Sequence, residues 1–254
     1  MHVLLSNDDG IWSVGLRALY ASLVARGHRV DAVAPMSQQS GVGHAVTIND
    51  PLRVTEVREP DFVGTAVHGT PTDCVKLALA VLLGEMPDLV ISGINRGPNL
   101  GPDIFYSGTV GAAMEAAQSK VPALAVSDSD VMHADIDAKA RHVVELAEGL
   151  DWGCIGEGRV LNVNYPVCSL AEAKGVRLCQ QTDAVWVSSY EERIDPHGNR
   201  YWWLGGDLCP DGRSPSDRQF VREGWVAITP LYFDYVDEGA LRSMRGMAFA
   251  STRR

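Results

Sequence analysis

Met1-His-Val-Leu-Leu-Ser-Asn-Asp-Asp-Gly10 opens the chain, and its reading decides how the remainder is understood. His2 to Ser6 predicts a short apolar strand, and Asn7-Asp8-Asp9-Gly10 stops it abruptly. Adjacent carboxylates repel, so each raises the other's pKa unless a cation or strong hydrogen bonds keep both ionised. In a continuing strand the two acids would face opposite ways, whereas a sharp turn at Gly10 can bring both toward one point. Val14 to Arg26 is amphipathic and predicts a helix. The unit is therefore strand, acidic turn, helix, with the acids at the strand's carboxyl end, where open α/β sheets place ligands. The same residues also read as an Asx-turn that caps the helix, and this stretch by itself leaves both readings open.

A chain of 254 residues can bury a substantial core. Its 22 Lys+Arg against 32 Asp+Glu give a formal charge of −10, which argues against binding a nucleic acid polymer but leaves room for a single nucleotide at a metal site. No apolar run approaches the ~20 residues needed to span a bilayer, so no membrane association is expected. The N-terminus lacks a basic region followed by an apolar stretch and a cleavage site. Cys74, Cys154, Cys168, Cys179 and Cys209 are scattered without a Cys-x-x-Cys pair, which fits free thiols in a cytoplasmic protein.

Outward from the first unit, Arg29 to Ala34 predicts a strand closed by Pro35, and residues 36–44 a small, polar loop. Alternating residues follow around Val46 to Val54, then a strand from Phe62 to Val67. Gly69-Thr-Pro-Thr-Asp73 opens a helix, with Thr70 as N-cap, Pro71 in the first helical position and Asp73 in the third; Cys74 to Leu83 continues it on an apolar face. Asp88 to Ser92 is a buried parallel-type strand, Tyr106 to Glu115 starts a helix, Pro122 to Ser127 is a strand, and Asp135 to Leu150 a helix. This alternation predicts an α/β fold with a Rossmann-like, doubly wound, mostly parallel sheet in a three-layer αβα arrangement. We read residues 1–254 as a single domain, with a core over 1–165 and a β-rich extension over 166–254. Val160 to Val163 is a strand, and short β-like pieces follow it in the extension at 176–179, 185–190, 201–204 and 225–229. Asp195-Pro-His-Gly-Asn199 predicts the turn of a hairpin arm at about 185–205. Tyr201-Trp-Trp-Leu204 is too aromatic to be left in water: either the arm packs on another subunit or it folds back on its own core. A terminal helix is expected over 237–249, with Leu241, Met244 and Phe249 apolar.

Three loops should open on one sheet edge. They carry Asp8 with Asp9, Ser40 flanked by Gly41 and Gly43, and Asn95 with Asn99. Two carboxylates, a hydroxyl and an amide oxygen form a hard, all-oxygen ligand set that suits Mg²⁺ or Mn²⁺ better than zinc. Taken alone, Asn95 also reads as a turn former. Ser107-Gly108-Thr109 at a helix start offers free N–H groups and two hydroxyls as a phosphate site, with plain N-capping as the alternative. A metal loop and an anion loop on one edge point jointly to phosphoryl chemistry. Neither a Gly-x-x-x-x-Gly-Lys loop nor a Gly-x-Gly-x-x-Gly loop occurs in the corresponding places, and no Gly-x-Ser-x-Gly elbow indicates a serine hydrolase. His44 is a candidate general acid, although a loop histidine is commonly just solvated.

Together Ser6-Asn-Asp-Asp-Gly10, Ala34-Pro35 with Ser40-Gly41, Gly69-Thr-Pro-Thr-Asp-Cys-Val75, Ser92-Gly-Ile-Asn-Arg-Gly-Pro-Asn-Leu-Gly101 and Tyr106-Ser-Gly-Thr-Val110 resemble the stationary-phase survival protein SurE family. The resemblance continues into Asp195-Pro-His-Gly-Asn199 and Gly224-Trp-Val-Ala-Ile-Thr-Pro230. It implies a cytoplasmic, metal-dependent 5′/3′-nucleotidase that hydrolyses nucleoside monophosphates by metal-activated water, with short polyphosphate as a further substrate of some members. It implies one divalent ion per subunit, held by residues that fall here on Asp8, Asp9, Ser40 and Asn95; beside it, our own reading of the loops expects Asn99, Ser107, Gly108 and Thr109 to meet the phosphate. It also implies homodimers or homotetramers built by exchange of the arm and the C-terminal helix. Ser13-Val14, Gln39 and Glu115-Ala116 depart from the usual pattern, and losing a basic residue at position 39 bears on substrate affinity. Two alternatives remain beside it. One is a non-catalytic nucleotide or metabolite binder, which need not keep both aspartates. The other is a haloacid-dehalogenase-type aspartyl phosphatase, whose Asp-x-Asp spacing the adjacent acids do not match.

Overall fold

A computed structural model describes residues 1–130, 132, 134–209, 212–234, 236–245 and 247. Eleven strands and seven α-helices are found among them. In chain order they are β1 (His2–Ser6), α1 (Val14–Ala25), β2 (Arg29–Pro35), β3 (Val54–Glu59), β4 (Phe62–Val67), α2 (Pro71–Leu77), β5 (Leu89–Arg96), α3 (Gly108–Gln118), β6 (Ala123–Asp128), α4 (Ile136–Gly149), α5 (Trp152–Ile155), β7 (Arg159–Tyr165), β8 (Val176–Leu178), β9 (Trp186–Ile194), β10 (Arg200–Leu208), α6 (Asp217–Arg222), β11 (Val226–Tyr232) and α7 (Glu238–Met244).

Nine strands form one sheet in the order β3-β4-β2-β1-β5-β6-β7-β11-β8. The six strands from β4 to β7 run parallel to one another, β3 is antiparallel to β4, and β11 is antiparallel to β7. The chain winds outward from β1 in both directions, as expected of a doubly wound sheet, so the strand order reverses between β1 and β5. All five residues of β1 are buried, which is why an apolar run without alternation belongs at the sheet's centre. Each Val or Leu buried there stabilises the fold by roughly 1.5–3 kcal/mol. One apolar cluster, with Leu16, Leu19 and Val143, lies under α1 and α4; a second, with Val75, Ala113 and Ala117, lies under α2 and α3.

Element boundaries differ from the expectation in four places. Residues 45–53 form no strand: Val46 and Ile48 are exposed, Pro51 lacks an N–H, and pairing begins only at Val54. The helix after Thr70 changes to a π-helical turn over Ala78–Leu82. The arm strands are longer than expected and pair along nine residues, from Trp186 with Leu208 to Ile194 with Arg200. They stand apart as a two-stranded sheet, and nearly every residue of both is exposed, so the arm does not fold back on its own core. Of the terminal helix, Glu238–Met244 is seen, and Phe249 lies outside the described residues. All five cysteines are unpaired. Among the described residues, no helix is long and apolar enough to cross a membrane.

Candidate functional site

The turn after β1 assigns its capping work to residues other than the acids. Gly10 N–H donates to Asn7 Oδ1 (3.1 Å), and Asn7 Nδ2 donates to Gly10 O (3.1 Å) and Ser13 Oγ (2.5 Å). Ser13 is the N-cap of α1, accepting from Leu16 N–H. Gly10 takes φ +97°, which a side chain would resist. Asn7 and Ser13 thus satisfy the Asx-turn reading, and Asp8 and Asp9 remain available at the switch point of the sheet. Asp8 is buried and Asp9 is half-buried.

Backbone and amide hydrogen bonds draw the two neighbouring loops onto this turn. Gln39 N–H donates to Asp8 O (2.7 Å), and Gln38 Nε2 reaches both Ser40 Oγ (2.9 Å) and, more loosely, Asp9 Oδ1 (3.4 Å). Arg96 N–H, at the end of β5, donates to Asp9 Oδ2 (3.1 Å). The adjacent Asn95 gives its Nδ2 to Gly97 O (2.7 Å), leaving its Oδ1 without a donor among the described residues. The Ser40 loop is held further along by Gly43 N–H to Tyr106 O (2.9 Å). Beyond it, Thr47 donates to the Asp73 carboxylate from both its N–H (2.9 Å) and its hydroxyl (2.6 Å). Asp73 also completes the capping box with Thr70, so one acid fixes a helix start and a loop together.

The start of α3 closes the site from the side. Thr109 Oγ1 donates to Asp8 Oδ1 at 2.5 Å. Ser107 caps the helix by accepting from Val110 N–H (3.1 Å), and its own hydroxyl proton has no acceptor among the described residues. Gly108 permits the approach: a Cβ there would lie 2.8 Å from Asp8 Cβ and 2.9 Å from Pro71 Cγ. Burial pushes the Asp8 carboxyl up to about 6, against the Thr109 hydrogen bond and with the help of the Asp9 charge.

Asp8, Asp9, Ser40, Ser107, Gly108 and Thr109 therefore converge, and Asn95 stands one residue from the amide that touches Asp9. Thr109 differs from its expected part in one respect, since its hydroxyl proton is given to Asp8. Asn99 is held elsewhere. Its Nδ2 donates to Ser127 Oγ (2.8 Å), its N–H to Asn164 Oδ1 (2.8 Å), and its carbonyl accepts from Asn162 Nδ2 (2.8 Å) and Asn164 Nδ2 (3.1 Å). His44 is not brought to the acids. Its Nε2 lies 3.2 Å from Glu115 Oε2, and its ring meets Phe233 edge-on at 5.5 Å. The His44 hydrogen bond, against burial and with the help of Lys76, holds the Glu115 carboxyl below its ordinary range. Four residues that position the site escaped the sequence reading: Gln38, Asn162, Asn164 and Asp217, whose carboxylate accepts from Gly101 N–H (2.9 Å) and Thr182 N–H (2.7 Å). The Asn162-x-Asn164 spacing at the end of a strand was their one visible signal.

Among the described residues no three His, Cys, Asp or Glu side chains gather as a metal group, so a cation here would have two charged ligands and otherwise neutral oxygens. The donor set fits a hard ion: the Asp8 and Asp9 carboxylates, Asn95 Oδ1 and Ser40 Oγ are all oxygens. Asp8 also shows the cost of carrying a charge there with no cation beside it.

A doubly wound sheet with an acidic turn bonded to a helix start at its switch point defines the class: an α/β protein of the kind whose ligands lie at the carboxyl ends of the strands. Comparison with known proteins then gives the family. The chain belongs to the SurE family, whose model, Survival protein SurE, matches residues 3–188. It is 54% identical to the 5′-nucleotidase SurE of Desulfovibrio desulfuricans over 97% of this chain and 98% of that one. It is 52% identical to the 5′-nucleotidase SurE of Nitratidesulfovibrio vulgaris over 95% of this chain and 90% of that one. The crystal structure of the SurE protein from Aquifex aeolicus superimposes with a TM-score of 0.78 at 36% identity, covering 96% of this chain and 98% of that one.

Proposed function

We propose that this protein is a divalent-metal-dependent phosphomonoesterase that hydrolyses nucleoside 5′-monophosphates to nucleoside and phosphate. The observation that carries the reading is the contact of Asp8 with Thr109, which sets a buried acid against the open end of α3. The names of the similar proteins, 5′-nucleotidase SurE, supply the substrate class. Because the donors recognise the phosphoryl group itself, 3′-monophosphates and short polyphosphate belong to the same proposal.

Asp8, Asp9, Ser40 and Asn95 would hold one Mg²⁺ or Mn²⁺ ion. When bound, it would supply a Lewis acid for a phosphate oxygen and make a water on it more acidic. The chain's own residues do the rest. Gly108 N–H and the free Ser107 hydroxyl face the phosphoryl oxygens, where charge develops as the ester bond breaks. Thr109 keeps Asp8 oriented, because its hydroxyl donates to Oδ1. Asn99 contributes through its peptide, which Asn162 and Asn164 clamp so that the loop bearing Asn95 keeps its place. Phosphoryl transfer depends mainly on positioning and charge stabilisation, so a site without a strong nucleophile suffices.

A homodimer or homotetramer, assembled through the arm and the C-terminal helix, is part of this reading. Trp202, Trp203 and Leu204 are each more than half exposed on the arm, and α7 buries none of its residues within the chain. The test of the function is a panel of nucleoside monophosphates assayed with Mg²⁺, Mn²⁺ and Zn²⁺ and with a chelator. Phosphate release that Mg²⁺ or Mn²⁺ restores after chelation is expected. Undiminished release in the chelated protein would overturn the metal-dependent mechanism.

A further inference from the structure

Three cavities border the site or its loops, and they differ in what they could receive. One of about 270 Å³ is lined by His44, Phe105, Met114 and Tyr232 and does not include either acid. Another of about 280 Å³ lies behind Ser37 and Gln39 against Thr47, His68 and Thr70, and has no aromatic surface beyond the His68 ring. The third, also about 280 Å³, is lined by Asp9 itself together with Trp12, Met36, Gln38 and Arg96. It alone of the three opens directly on the acidic turn.

Its two notable side chains have no other assignment. Trp12 is 52% exposed, although its neighbours are fixed: Ile11 is fully buried with its N–H on Pro35 O (2.9 Å), and Ser13 N–H donates to Gly10 O (3.0 Å). A large indole held by a rigid turn and left half in solvent is a preformed flat surface. Arg96 lines the same cavity from the end of β5, next to Asn95, and its exposed guanidinium makes no ion pair among the described residues. Its backbone N–H is tied to Asp9, so the arginine cannot drift from the cavity mouth without releasing that bond.

Resting on the nucleotidase reading, we propose that this cavity is the nucleobase subsite, with Trp12 as the stacking platform and Arg96 donating to ring acceptors at the base edge. With the phosphate held between Asp9 and the start of α3, this cavity receives the nucleoside on the Asp9 side, whereas the exposed Phe105 and Tyr106 rings precede Ser107 and do not line it. Stacking on indole is available to any base, but purines cover more of it, and N7 of either purine offers the guanidinium an acceptor. Purine nucleoside monophosphates are therefore the preferred class. Trp12 and Arg96 are specificity-determining residues and take no part in the bond-breaking step.

The experiment compares kcat/KM for GMP, CMP and ribose 5-phosphate, the last also read as a competitive inhibitor of GMP hydrolysis, in the metal-loaded wild type, Trp12→Ala, Trp12→Phe and Arg96→Ala. The wild type is expected to favour GMP over CMP and over the baseless sugar phosphate. Trp12→Ala should lower the GMP to ribose 5-phosphate ratio by about tenfold or more, in line with the loss of one stacked base. Trp12→Phe should keep most of the ratio, which separates loss of the platform from damage to the turn. Arg96→Ala should compress the GMP to CMP ratio. An unchanged ratio in Trp12→Ala, including an equal loss for all three compounds, overturns the subsite. A wild type that hydrolyses no nucleoside monophosphate overturns the nucleotidase reading instead, so the two failures are distinct.

Discussion

Replacing Asp8 by Asn removes a charge whose cost the structure makes visible. Burial raises the folded-state carboxyl from 3.8 to about 6, which corresponds to roughly 3 kcal/mol against the ionised form. The sign follows from proton binding: the folded state holds this proton more tightly than the unfolded chain does. The penalty is therefore absent below pH 3.8, grows between pH 3.8 and 6, and is complete above that range. Asparagine carries no such penalty but weakens the Thr109 hydrogen bond from charge-assisted to neutral, a loss of about 1 kcal/mol. In chelator at pH 7 the variant should be more stable by about 2 kcal/mol, equivalent to a rise of roughly 5 °C in Tm. At pH 4 the advantage should vanish or reverse. Urea titrations of both proteins at pH 4, 5, 6 and 7 measure the difference directly. Adding Mn²⁺ should stabilise the wild type and narrow the gap, because a cation favours the ionised acid. A variant less stable than wild type at pH 7, or a difference that does not change with pH, would refute the assignment of Asp8 as a buried, uncompensated carboxylate.

Gly108→Ala should lower kcat/KM at least about tenfold while circular dichroism stays unchanged, since its Cβ must displace Asp8 or Pro71 from contacts of 2.8 and 2.9 Å; near-normal turnover would count against close apposition of α3 and the acid. Deleting Glu192 to Leu204 removes most of the exposed aromatic arm and should reduce the mass seen by light scattering, and an unchanged mass would exclude assembly through the arm.

Much of the fold was legible because β1 and β6 are buried throughout, and β5 over its first six residues, and they leave a largely apolar signature. The Thr70 capping box was equally plain, because its logic is complete within four residues. Boundaries failed where pairing between distant segments decides. The arm strands continue beyond their apolar cores because cross-strand partners such as Arg200 and Glu192, bonded at 2.6 Å, extend the ladder through polar residues. The fate of the arm was not legible at all, since an aromatic stripe looks the same whether it meets its own core or another subunit. Within the site, Asp8 and Asp9 could be found from their adjacency, but not which of them is buried. Gln38 carries no signal beyond being polar in a loop. Lys139 on α4, fully buried with Nζ 2.8 Å from Asp128 Oδ1, was invisible for the opposite reason: a lysine in a helix reads as a solvated face until the partner is known.

The binding capacity left over after these internal contacts says most about the chemistry. On one side stand oxygens that can only accept and keep lone pairs to spare: the Asp8 carboxylate, the Asp9 carboxylate, which takes one N–H from Arg96, and Asn95 Oδ1. On the other side, at the start of α3, stand groups that can donate: the Ser107 hydroxyl and Gly108 N–H. A neutral ligand would leave one half of such a site unsatisfied, at a cost of about 1–3 kcal/mol for each buried group left without a partner. A lone anion would be repelled by the acids, and a lone cation would ignore the helix end. Only a ligand presenting positive charge to the acids and negative charge to the helix, within hydrogen-bond reach of each other, satisfies both halves. A divalent ion with a phosphate monoester has that form, whereas a soft, nitrogen- or sulfur-seeking metal would find no preferred ligand on either side.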